Sequence, residues 1–116
     1  MATPEAIVYR ALESLADGRV YPDQAPDNIG RPYIVYQSVG GEDGATLDGA
    51  ADTQNSRMQV AVWSTTRSEA VGLIGQVRDL LTAEPISATP IGSAVSTYDT
   101  DTKLRGSRQD FSIWYR

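Results

Sequence analysis

At 116 residues with 41% hydrophobic side chains, the chain has the size of one ordinary domain, and no run approaches the roughly 20 apolar residues that cross a bilayer. Cysteine and histidine are both absent, which removes disulfide frameworks, thiolate nucleophiles, cysteine-based zinc sites, Ser-His-Asp systems and HExxH metal sites. Ten Lys and Arg against 15 Asp and Glu give a formal net charge of −5, the wrong balance for displacing counterions from nucleic-acid phosphates.

The first helix is expected to begin with Thr3 as N-cap and Pro4 at its first position, where a missing N–H costs nothing. Ile7, Val8, Ala11, Leu12 and Leu15 make one apolar stripe, and Asp17-Gly18 closes it. Met1 runs straight into the polar ATPEA, without the charged and then apolar pattern of an export leader. RVYPDQAPDNIGRP, with prolines at 22, 26 and 32, reads as an ordered loop laid over the surface. YIVYQSV, residues 33 to 39, is β-branched and aromatic and predicts a strand. The stretch 40 to 55 that follows has glycines, the acidic residues Glu42, Asp43, Asp48 and Asp52, and Leu47 as its one large apolar side chain. It predicts a long mobile connection unable to pack a core.

RMQVAVWSTT, residues 57 to 66, alternates with period two, then Thr66 with Glu69 forms a capping box. Ala70, Leu73, Ile74, Val77, Leu80 and Leu81 recur at helical spacing until Pro85 stops the second helix. Two strands follow at about 93 to 99 and 107 to 115, joined by the polar TDTKLRG turn. The order α-β-β-α-β-β predicts a single α+β domain over 1–116, two-layered, with a four-stranded, mainly antiparallel sheet and both helices packed on one face.

If Met58, Val60, Val62, Phe111 and Ile113 face the helices, then Arg57, Gln59, Trp63, Arg108, Asp110 and Trp114 emerge on the other face. Both strands run from arginine to tryptophan. Tryptophan and arginine concentrate at the centres of protein interfaces, so these six residues are the candidate assembly surface. The alternative is that the loop 20 to 32 of the same chain folds back over both indole rings.

Other constellations carry less. Asp99 and Asp101 have the spacing of a divalent-metal carboxylate pair but no third ligand, and a solvated turn explains them. Lys103, the only lysine, lacks the SxxK context of a Ser-Lys pair. Gly40, Gly41 and Gly44 lack the GxxxxGK[ST] pattern and are interrupted by Glu42 and Asp43, which would repel phosphate. Gly72 and Gly75 inside the second helix allow either a close neighbour or simple tolerance on an exposed face. No catalytic, metal or cofactor-binding residue is expected.

Four segments in order, RVYPDQAP, PYIVYQSVGG, SRMQVAVWSTTRSEAVGLIGQVRDLL and DTKLRGSRQDFSIWYR, resemble the small tailed-phage proteins called tail completion or tail terminator proteins. The likeness spans nearly the whole chain. It is strongest at Pro32-Tyr33, from Gln59 to Trp63 into the helix with Glu69 and Ala70, and from Asp110 to Trp114. The resemblance implies a structural phage or prophage protein, without enzymatic activity or cofactor. Such a protein forms a ring, commonly six-fold, at the head-proximal end of the tail tube and joins it to the head connector. Its expected partners are itself, the tail tube and the connector, with DNA passing through unbound and no membrane contact. Its expected place is the host cytoplasm during assembly, then the virion tail or neck. A second reading, from another class, is a small monomeric bacterial binding or regulatory domain whose acidic 40–55 loop captures a peptide or a metal ion.

Overall fold

The computed structural model describes residues 3–42 and 53–116. Thr3 caps the first helix, α1 (Pro4–Leu12), with its hydroxyl accepting from the Ala6 N–H at 3.1 Å. The helix stops earlier than the apolar stripe predicts. Leu15 N–H turns back to the Leu12 carbonyl at 2.9 Å, and a single 3-10 turn at Ala16–Gly18 follows, in which all three residues take positive φ.

The largest departure from expectation comes next. Within the stretch read as a surface loop, Val20–Pro22 forms a short strand, β1, parallel to β2 (Tyr33–Ser38). Ile34 N–H donates to the Arg19 carbonyl and Asp23 N–H to the Tyr36 carbonyl, each at 2.8 Å, which clips β1 to the free edge of β2. Three residues ending in proline carry no periodicity, so the pairing comes from what β2 offers. The remaining strands are β3 (Gln54–Ser64), β4 (Thr89–Tyr98) and β5 (Arg105–Tyr115), with the helix α2 (Arg67–Thr82) between β3 and β4. The sheet therefore has five strands, ordered β1-β2-β3-β5-β4, and is mixed: only the β1–β2 pair is parallel.

One face of this sheet carries the core. Val8 and Leu12 of α1 meet Ile34 and Tyr36 of β2, while Leu73, Ile74, Val77 and Leu81 of α2 cover β3 and β5. Met58, Val60, Val62, Phe111 and Ile113 are all at most 1% exposed, as the alternation predicts. Leu80 is an exception to its stripe, being 38% exposed. Thr66 Oγ1 accepts from the Glu69 N–H at 3.2 Å, but the reciprocal half of the box is rerouted: the Glu69 carboxylate takes the Ser64 hydroxyl, and Ser64 Oγ accepts the Thr66 N–H at 3.3 Å. Among the described residues, no buried side-chain polar atom lacks a hydrogen-bond partner, and no helix is long and apolar enough to cross a membrane.

β4 starts earlier than expected because its first residues, Thr89-Pro90-Ile91-Gly92, resemble loop sequence. They pair with β5 nonetheless, and a bulge between Ile91 and Val95 absorbs Gly92 at φ +69°. The buried Gln109 amide donates to the carbonyls of Ile91 at 3.1 Å and Gly92 at 2.8 Å, satisfying acceptors that the bulge frees.

Candidate functional site: the uncovered sheet face and the groove on it

Among the described residues, no helix lies over the opposite face of the sheet. It presents Gln37 from β2, Arg57, Gln59 and Trp63 from β3, and Arg108, Asp110 and Trp114 from β5, because alternate residues of antiparallel neighbours share a side. All six residues expected on a common surface are on it.

The registers join some of these residues and separate others. Gln59 sits directly across from Asp110, and the Asp110 carboxylate accepts from Arg57 Nε at 2.8 Å and Gln59 Nε2 at 3.2 Å. Gln59 in turn accepts from Gln37 Nε2 at 3.4 Å. A polar row thus crosses three strands at the middle of the face. Arg108 lies one step along, between Ala61 and Val95.

The tryptophans do not meet. Similar sequence in two antiparallel strands runs in opposite directions, so Trp63 pairs with Gly106 while Trp114 pairs with Asn55. The eight-residue step along β3 from Asn55 to Trp63 places the rings about 27 Å apart along the strand, at opposite ends of the face. Their surroundings also differ. Trp114 is 40% exposed. Trp63 is half-buried and lies against the bare backbone of Gly106: a Cβ added there would come within 2.7 Å and 2.8 Å of two Trp63 ring carbons, and within 2.4 Å of Thr97 Oγ1. The Arg67 guanidinium holds this corner from the other direction, donating to the carbonyls of Gly106 and, at 2.8 Å, Thr97.

Over the Trp63 end, the segment 23–31 rises above the sheet and closes an open groove of about 400 Å³. Its floor is Tyr33, Val35 and Gln37 of β2 with Gln59, Ala61 and Trp63 of β3, and Asp99 and Thr102 stand at one end. Arg19 Nε donates to the Pro32 carbonyl at 2.8 Å and ties the two ends of the segment together. Sequence reasoning offered a same-chain loop as the cover for both indoles. The structure has this loop beside Trp63, leaving a groove rather than a seal, and far from Trp114. Burial pushes the Tyr33 phenol above its ordinary range, with Asp99 adding to the rise and Arg31 opposing it.

The other expected sites resolve simply. Asp99 Oδ1 accepts from the Asp101 N–H at 3.0 Å, and the Asp99 carbonyl accepts from Lys103 N–H at 2.7 Å, so these residues build the β4–β5 turn. No three Asp, Glu, His or Cys side chains cluster as metal ligands among the described residues. Of the acidic loop residues, Asp43, Asp48 and Asp52 lie outside the described residues. Glu42 lies inside, its N–H donating to Asn55 Oδ1 at 3.0 Å, and hairpin pairing continues through Val39 and Gly40 to Arg57 at 2.8 Å. A Cβ on Gly41 would fall 2.4 Å from the Asn55 carbonyl oxygen, so that glycine is required by close approach. A Cβ at Gly72 or Gly75 would have no neighbour within 4 Å, so nothing described approaches α2 there.

The family model described as "Tail completion protein gp17" matches residues 8–116. Among solved structures, a chain in the virion of a native gene transfer agent particle superposes with a TM-score of 0.72 at 17% identity, covering 96% of this chain and 92% of its own. The gp17 protein of bacteriophage SPP1 superposes with a TM-score of 0.54 at 18% identity, covering 97% and 88%. At such identities the likeness speaks for the fold. No curated protein matches significantly in sequence.

Proposed function

Since this chain belongs to the tail completion protein gp17 family, a family of bacteriophage virion structural proteins and not of enzymes, we propose that it is a ring subunit at the head-proximal end of the tail tube, joining tail to head connector. The observation that carries the reading is the uncovered sheet face, with a polar row at its centre and an aromatic residue at each end. A sheet face without a second layer is stable alone only when polar, and an exposed tryptophan and paired charges on it are what an interface uses. Six-fold symmetry and contact with the tube and the connector belong to the same reading. The acidic balance supports passage of DNA without retention, because a basic lumen would hold phosphates.

The test pairs two measurements on Trp114→Ala. Melting of the isolated chain should fall by no more than a few degrees, because the ring is 40% exposed, while tail joining in a complementation assay should fail. Joining that survives, or joining lost only in proportion to a lowered melting temperature, would reject the assembly role of this face.

A further inference from the structure

The groove between the segment 23–31 and the sheet is separate from the exposed Trp114 end and has its own chemistry. We propose that it is a docking site for an extended segment of a neighbouring virion protein, one that inserts an arginine or lysine side chain against Trp63. This partner assignment rests on the structural role in the virion proposed above.

Three observations converge on such an occupant. The floor is two adjacent columns of side chains, Tyr33 to Gln37 on one strand and Gln59 to Trp63 on the next, giving a trough about 13 Å long, the length of four extended residues. An extended chain fits that shape better than a compact ligand. Carboxylates stand at both ends: Asp23 follows β1 where it pairs with Tyr36, and Asp99 closes the end at Tyr33 and Trp63. Asp27 adds a third, and Arg31 is the one cation among the lining residues. The net negative rim selects a positive guest. Finally, the half-buried indole of Trp63 is fixed from behind by Gly106 and offers one side to the groove, a surface for the stem of a long cationic side chain and for its charge. Arg105 is stacked on Tyr98, 5.1 Å from the ring centroid, and not on Trp63.

The probe is a pair of capped pentapeptides, acetyl-Ala-Val-Arg-Val-Ala-amide and its glutamate counterpart, titrated into the ¹⁵N-labelled chain. The arginine peptide should shift the Trp63 indole and the Gln37 and Gln59 side-chain amides, leave the Trp114 indole unmoved, and bind at least about tenfold more tightly than the glutamate peptide. Asp23→Asn with Asp27→Asn, both on the rim segment, should weaken it several-fold with an unchanged melting temperature, and added salt should do the same. Equal response to both peptides, shifts elsewhere, or no binding at millimolar concentration would overturn the proposal. Shifts of the same groove signals on concentrating the chain alone would also overturn it, making a second copy the occupant. Ring assembly measured separately by light scattering distinguishes failure of this site from failure of the assembly reading.

Discussion

Gly106→Ala tests the corner on which the groove depends. The added methyl carbon would sit 2.4 Å from Thr97 Oγ1 and 2.7 Å from the nearest Trp63 ring carbon, about 1 Å closer than ordinary van der Waals contact. Thr97 can rotate its hydroxyl, but the indole must slide outward into the groove. Overpacking of this kind costs about 1–3 kcal/mol, and relief of glycine's backbone freedom in a strand returns about 0.5–1 kcal/mol. The net expectation is a loss of about 0.5–2 kcal/mol, or roughly 2–8 °C in melting temperature for a domain of this size. Denaturant unfolding gives the energy, and Trp63 emission in a Trp114→Phe background reports the ring, which should move to the red. In a Trp63→Ala background the same glycine substitution should become neutral or mildly stabilising, a coupling of about 1 kcal/mol. A loss of equal size with and without the indole would refute the claim that Gly106 is there to seat Trp63.

Three further outcomes are expected. Arg57→Met should cost below about 1 kcal/mol in the isolated chain, since that side chain is 47% exposed, and the loss should shrink with added salt. Stability should fall as pH rises above about 10: burial raises the phenols of Tyr33 and Tyr36, so the folded state holds protons that the unfolded chain releases, and the advantage is present below pH 10 and lost beyond it. Thermal melts from pH 8 to 11 check this, and Tyr36→Phe should flatten the alkaline decline. Asp101→Asn, which keeps the groove carboxylate Asp99, should leave tail joining nearly unchanged and insensitive to chelator, because Asp101 serves the turn through its backbone N–H; loss of joining with intact folding would restore the metal reading.

The helices and β2, β3 and β5 were legible because their signals are local. Thr3 and Thr66 cap, Pro4 starts, and the alternation from Arg57 to Trp63 fixes a face within a single strand. β1 was not, since its existence depends on the edge of a strand eleven residues further on. The distance between the tryptophans was not legible for a related reason: strand phase is written in each segment, whereas the separation of Trp63 and Trp114 is set by register and direction. The groove depends on the route of the segment 23–31, whose three-dimensional course nothing in its prolines and acids specifies.

The two borders of the sheet are unequal, and that limits how copies of the chain can stick together wrongly. One border is β1, only three residues long and ending in Pro22, which has no N–H to give; the other is β4, ten residues interrupted by the Gly92 bulge. Endless stacking of sheets requires two long, regular borders that match. Here neither qualifies: growth from β1 finds almost no ladder, and two β4 strands brought together lose register at the bulge. The described chain can therefore carry an open sheet face without offering the matched borders that fibre growth needs.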